Sequence, residues 1–546
     1  VIRKIFLIIL GLILFINLSH AQVKRPYEPI VLKGDTLAQF INHEIQFMYV
    51  YAYNALSNSW QMIPFQIDEV NPHDQDSMYF KPDSSYGLLD EDDELVFLLC
   101  EVGDKADSTS WVAGADSIRY EICLVDSLTN EVGYVYLYSS RSISDPVPNP
   151  YFMAYDSVTD RISTANYEAG FNETGQLSDV VIGNSGIDIF DRLKVRLMGS
   201  YWIFALDPIY EDNVSMNYAY AKVGPVRAIR NMYGKFYYSF AGVITFDEKF
   251  TQTSFFYPWM GSFTLFEIPI EDAVDAGVEV DVIRISWDFN RNAIGMNFYN
   301  EVNRSGTLIN GVGGFDNIDR ACSPGELNWS MGTGNPGTIL NVFSVPAIGD
   351  QIQIYFYDDS TSGKSGDAYG KKFDSGDNDS FGDNGFSLEK NVENYAKDNP
   401  SLDVAYYNFF LPPNFSPDDA STICTQLKSP VSYFVSAQKM PRPSEVAEAD
   451  DLVPTKYALF QNYPNPFNST TKISFSLPKR NDVSLKIYDS LGRLVATLVE
   501  GTLPQGIHRY TWQGLDQRGL SLPTGLYFYK LETSEFNSTK KLLLIK

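Results

Sequence analysis

A chain of 546 residues, 44% of them hydrophobic, can bury a sizeable core without cross-links to hold it. Its net charge of -26 gives no basic excess for a nucleic-acid backbone or an anionic lipid surface, so neither is an expected partner. Such acidity serves solubility and names no ligand.

The chain opens VIRKIFLIILGLILFINLSHAQ. Arg3 and Lys4 precede an apolar run over 5–18, and Ser19-His20-Ala21 supplies a small-x-small cleavage pattern. Residues 1–21 are therefore expected to be a secretory signal peptide. The apolar run is shorter than the roughly 20 residues of a spanning helix. No cysteine follows the cleavage pattern, so no lipid anchor is expected. Loss of the two cations would take the charge from -26 to -28. No later stretch is long and apolar enough to span as a helix, so no membrane span is expected in the mature chain.

From 22 to 437 strand patterns dominate: IQFMYVY (45–51), YVYLY (134–138), KFYYSF (235–240), VEVDVIRI (278–285) and QIQIYFY (351–357). They are rich in β-branched and aromatic residues, and several alternate with period two. Turn clusters at 54–58, 148–150 and 311–314 separate them. The expected class is all-β, a large antiparallel sandwich region of one or two sandwiches. An internal boundary is placed at 144–150, and 388–397 is expected to supply a helical turn or two. Cys100, Cys123, Cys322 and Cys424 show no CxxC spacing, which argues against zinc. Cys100 and Cys123 read as small buried residues, with a bridge between neighbouring strands as the alternative.

At 438–455 the pattern collapses into QKMPRPSEVAEADDLVPT, with three prolines and mixed charge, the composition of a linker. A compact module follows over 456–546. Strands are expected at 472–477, 483–488, 494–499, 508–512, 527–531 and 541–545, with a glycine turn at 489–493, in a small immunoglobulin-like sandwich of about seven strands. Pro464 and Pro466 should hold an extended lead-in.

The segments LFQNYPNPFNSTTKISFSLP, VSLKIYDSLGRLVATLVEG, LPQGIHRYTWQGLDQRGLSLPTGLYFYKLE and KKLLLIK resemble the type A C-terminal sorting domain of the type IX (Por) secretion system of Bacteroidota. The resemblance covers 456–546. It implies export across the outer membrane with the type IX machinery as partner, then release or attachment to the cell surface. The module carries no visible chemistry: His508 and Trp512 share one strand face and read as packing residues.

Upstream, the histidines beyond the signal are His43 and His73, with no HExxH and no GxSxG beside them, which disfavours zinc hydrolysis and a serine triad. The acids Asp90, Glu91, Asp92, Asp93 and Glu94 read as a solvated turn before a buried strand, with calcium as the second reading. Around DSGDNDSFGDNGFSLE, Asp377, Asp379 and Asp383 fall at positions 1, 3 and 7 of a loop with Gly382 at position 6, and Asp374 lies just before it. Short alternating acids around a glycine can wrap a calcium ion. Phe381, Leu388 and Glu389 depart from the EF-hand pattern, so an ordinary Asp/Asn/Gly loop is the first reading, with calcium at Asp374, Asp377, Asp379 and Asp383 as the second; no other cofactor is expected. Of the tryptophans, Trp259, near a bend made by Pro258 and Gly261, is the best exposed candidate for stacking a sugar. GPVRAIRNMYG (224–234) resembles the supersandwich domains of galactose-mutarotase-like proteins, and WQMIPFQIDEV (60–70) resembles domains found beside them. No catalytic residue is carried over. The expected function is a secreted or cell-surface protein whose 22–437 region is a non-catalytic binding or surface module, with carbohydrate as partner. A polysaccharide-acting lyase or hydrolase is the alternative.

Overall fold

In the computed structural model the described residues are 23–441 and 456–544, less short internal stretches, of which 270–277, 345–351, 360–379 and 390–400 are the longest. The signal segment 1–21 and linker residues 442–455 lie outside them. More than half of the chain is strand, and the sheets are antiparallel throughout, so the all-β class stands. The chain forms two compact units, Val1–Met440 and Pro441–Lys546.

The run ELVFL, strand Glu94–Leu98, is buried at every position. The reason is its place at the centre of a three-stranded sheet, between Pro29–Lys33 and Phe65–Asp68. Leu95 and Phe97 pack with Val50, Ile122 and Leu137 of a five-stranded sheet. Val96 and Leu98 face the opposite way, onto Trp329, Leu340 and Val342 of a nine-stranded sheet. A strand covered on both faces reads as continuously apolar instead of alternating. The far face of the nine-stranded sheet supplies Phe343, Tyr406 and Phe410, which share a core with Ile285, Trp287 and Phe386 of an eight-stranded sheet. Trp287 is fully buried there, stacked on Phe343 at 5.4 Å. A four-stranded sheet adds Tyr167, Val180 and Ile182 to the same core.

The last strand of this unit, Ser432–Lys439, returns to pair with Ile118–Val125 in the five-stranded sheet. Both ends of the unit therefore build that sheet. The segment 144–150, placed as a boundary, follows Val132–Ser139, where the chain leaves it. Gln438 and Lys439, assigned above to the linker, instead belong to the returning strand. Gln438 accepts a hydrogen bond from Arg119 Nε at 2.8 Å, and Arg119 is buried among Trp60, Trp111 and Tyr136. Pro441, without an N–H, follows directly after Met440.

Leu388 and Glu389, expected in helical turns, end the strand Ser380–Glu389; 390–397 lie outside the described residues. The one α-helix among the described residues is Pro417–Lys428. Ser416 caps it reciprocally with Asp419, Pro417 opens it, and Ile423 and Cys424 face the core. Cys100, Cys123 and Cys424 are free thiols, so the alternative of a Cys100–Cys123 bridge is not realised. Burial raises the Cys100 thiol to about 12, leaving it protonated and inert.

The second unit has seven strands among the described residues, in sheets of three and four. Every strand expected from the alternation is present, from Thr471–Leu477 to Asn537–Leu544, and Ala458–Leu459 adds the seventh. Ile473, Phe475, Leu485, Ile487, Tyr529, Leu531 and Leu542 form its own core. Burying seven such side chains stabilises the unit by about 10–20 kcal/mol before chain entropy is subtracted. Gly492 takes φ +77 in the expected turn, and Asp489 bonds Arg493 across it. Pro464 and Pro466 lie outside the described residues.

Candidate functional site

Of the four calcium candidates, Asp374, Asp377 and Asp379 lie outside the described residues. Asp383 sits in the strand Ser380–Glu389, buried, with Oδ2 3.9 Å from Arg196 Nη1 and 3.5 Å from the Tyr355 hydroxyl. Gly382 is the extra residue of a β-bulge: Asp383 opposes Tyr357, Phe381 opposes Asp358, and Gly382 takes φ +80 between them. Its spacing from Asp383 is thus a feature of the sheet. Among the described residues no three His, Cys, Asp or Glu side chains converge as a metal site.

His43 shares a hydrogen bond with Ser139 Oγ at 2.8 Å, and His73 is exposed in a turn. His508 rests on Phe475, and Trp512 is buried in the second core. Trp259 is half-buried and meets Tyr27 edge-on at 6.4 Å; Trp287 and Trp329 are core residues. The aromatic candidates therefore mostly serve packing.

What the fold brings together is three segments distant in sequence: WQMIPFQIDEV, the acidic turn, and GPVRAIRNMYG. Asp68 and Glu94 stand opposite each other in neighbouring strands, and Lys33 stands opposite Glu94 on the other side. Like charges so placed repel at a Cβ separation of about 5 Å. Arg227 resolves this. Its Nε lies 2.8 Å from Asp68 Oδ2 and its Nη2 2.6 Å from Glu94 Oε2. Lys222 reaches Asp68 Oδ1 at 3.3 Å, and Lys33 reaches Glu94 Oε1 at 3.0 Å. All four carboxylate oxygens are thereby matched to a cation.

The local sequence explains the placement. Gly224 and Arg227 close the turn between Val214–Val223 and Ala228–Phe240, with Gly224 N bonded to Arg227 O. Gln66 Oε1 accepts the backbone N–H groups of Val226 and Arg227 at 3.0 and 2.8 Å. A Cβ at Gly224 would lie 2.3 Å from that oxygen, so the approach requires glycine. The Arg227 guanidinium is 2% exposed and packs over Phe255, with Tyr79 beyond. Burial works against its charge, but Tyr257, Asp68 and Glu94 outweigh that and hold it protonated. Burial, and then the Glu94 charge, push the Tyr79 hydroxyl up, so it stays a neutral donor to Glu94.

The acidic turn is only partly solvated. Glu91 and Asp92 are exposed, whereas Asp93 is buried and accepts the N–H groups of Val70 at 3.1 Å and Asp90 at 2.9 Å. Burial raises its carboxyl to about 6, against the pull of those two bonds.

Chemically, the Arg227 cluster is a clamp. Acid–base hydrolysis by a carboxylate pair needs one group protonated and both open to substrate. Here each oxygen faces a cation, the guanidinium is enclosed, and the cluster joins the three-stranded sheet to a hairpin of the nine-stranded one. Sequence spacing could not find it, because Arg227 lies 133 residues from Glu94 and 159 from Asp68.

No curated protein matches the chain. Among solved structures, an alpha-mannosidase from Enterococcus faecalis V583 aligns with TM-score 0.36 and 6% identity, over 89% of this chain and 54% of its own. Latent dimeric PorU from Porphyromonas gingivalis aligns with TM-score 0.15 and 9% identity, over 83% and 42%. PorZ, from the same organism and described as a surface component of the type-IX secretion system, aligns with TM-score 0.13 and 10% identity, over 75% and 49%. The chain thus spans about half the length of each. Residues 462–535 match the FlgD Ig-like domain, within the second compact unit.

Proposed function

We propose that the chain is a type IX-exported protein of the cell surface or the medium, in which Pro441–Lys546 is the export module and the upstream unit a non-catalytic binding module for carbohydrate. The observation that carries the reading is the second unit's self-sufficiency. Its strands bury their alternate apolar residues in a core of their own, which includes Phe467, Trp512 and Leu544, and its motifs resemble the sorting domain throughout. Upstream, the Asp68–Glu94 pair is held by cations in a closed clamp, which leaves it no hydrolytic role.

The test is truncation after Met440, which preserves the strand Ser432–Lys439. In a host with the type IX system, the full chain should reach the surface or medium, and the truncated chain should remain folded in the periplasm. Export of the truncated chain at the native level would refute the assignment.

A further inference from the structure

On the edge strand Val214–Val223, Tyr218 and Tyr220 are two residues apart and share one face. Tyr233 stands directly opposite Tyr218 in the neighbouring strand. The three rings are nearly parallel: Tyr218 lies 5.9 Å from Tyr220 at 14° and 4.7 Å from Tyr233 at 29°, and Tyr220 lies 6.1 Å from Tyr233 at 21°. They are fixed from one side. Phe80 meets Tyr220 edge-on at 4.3 Å, and Ser77 Oγ bonds the Tyr233 hydroxyl and lies 3.5 Å from that of Tyr220. Tyr218 is nevertheless 53% exposed. A core has no use for an ordered ring left half in water, whereas a ligand gains from rings that lose little freedom on binding.

Four lysines border this stack in a chain of net charge -26, two of them paired with aspartates. Lys222 follows Tyr220 on the same face, and its contact with Asp68 leaves it partly exposed. Lys81 comes from the 77–81 loop, paired with Asp74 at 2.5 Å and close enough for Tyr220 and Tyr218 to add to the rise in its pKa that Asp74 causes. Lys235 and Lys249 form the next cross-strand pair on the same face as Tyr233 and Thr251, and Lys249 is exposed.

We propose that Tyr218, Tyr220 and Tyr233 form a stacking platform for an acidic polysaccharide, one whose pyranose rings carry carboxylates; this rests on the carbohydrate reading above. The C–H face of a sugar ring packs on the electron-rich face of an aromatic ring, and Tyr218 offers that face. Hydroxyl groups at the ring edge find the Tyr220 and Tyr233 oxygens, which Ser77 holds from beneath. Carboxylates find Lys249 and Lys81, which oppose the repulsion that the acidic chain exerts on a polyanion. Neither the tyrosines nor Ser77 stand at a spacing that marks a site in sequence. The fold assembles them from a loop and two strands.

The experiment is affinity gel electrophoresis of the full-length protein through gels containing polygalacturonate, alginate or a neutral β-glucan. Native protein should be retarded by the two uronate polymers and less by the glucan. Y218A, an exposed change that leaves the melting midpoint within a degree or two, should weaken uronate binding about tenfold, while Y218F keeps it within about threefold. K81Q/K249Q should lose preference for the uronates and most of the salt dependence. Retardation of Y218A equal to native, or glucan binding as strong as uronate binding, overturns the proposed site and leaves the carbohydrate reading standing. Native protein retarded by none of the three polymers overturns both.

Discussion

Replacing Arg227 with methionine removes the guanidinium from between Asp68 and Glu94 and keeps most of its volume. Asp68 and Glu94 are buried and stand side by side across two strands. Without Arg227 each keeps one lysine, on a side chain partly in water and worth at most about 1 kcal/mol. Breaking a buried pair by deleting one partner costs about 3–5 kcal/mol, and this change deletes the partner of two carboxylates at once. The upper part of that range is expected. Urea unfolding followed by tryptophan emission measures it, since six of the seven tryptophans lie upstream of the linker. The triple variant D68N/E94Q/R227M removes the stranded charges and should recover at least half of the loss. A cost below about 1 kcal/mol for R227M, or a triple variant no more stable than the single one, would refute the clamp.

Asp93, with its carboxyl raised to about 6, binds its proton more tightly folded than unfolded, where its ordinary value is 3.8. Its contribution to stability is therefore full below about pH 4 and is lost as pH rises through about 6; D93N should flatten that part of a melting-midpoint profile, and an unchanged slope would contradict the assignment. G382A should destabilise by about 1–3 kcal/mol, since φ is +80 and a Cβ would meet Ile309 and Phe356 at 3.1 and 3.2 Å; unfolding at the native urea midpoint would argue against the bulge. Any calcium-dependent rise in the melting midpoint should vanish in D377A/D379A, and a rise that persists in that variant removes the metal from this loop.

The second unit was readable from sequence almost strand by strand, because each strand there has one buried face and so alternates. Expected and observed bounds differ by a few residues at most, as between 483–488 and Asn481–Asp489. Upstream, strands were evident but their layering was not. The two-faced burial of Glu94–Leu98 depends on one sheet built from both ends of the unit and another built from its middle, which no local pattern encodes. The helix Pro417–Lys428 did carry a local signal, Ser-Pro-Asp-Asp, which fits a cap followed by a first turn. The strand at Gln438 was hidden by the prolines just after it. Both constellations escaped for one reason: each joins one hairpin, 214–240, to residues more than 130 positions away, Asp68 and Glu94 in one case and Ser77 and Phe80 in the other. Asp383 illustrates the converse, a residue whose spacing resembled a loop ligand while its strand turned it inward beside Arg196.

The most direct measurement of the central claim is a gain of export. A fluorescent reporter fused between a signal peptide and Pro441–Lys546, expressed in a host with the type IX system, should appear at the surface or in the medium. The same reporter carrying Y529A, which removes a fully buried ring from the module's core, should stay in the periplasm. A reporter that remains periplasmic with the intact module, while the full chain is exported from the same cells, would contradict the account.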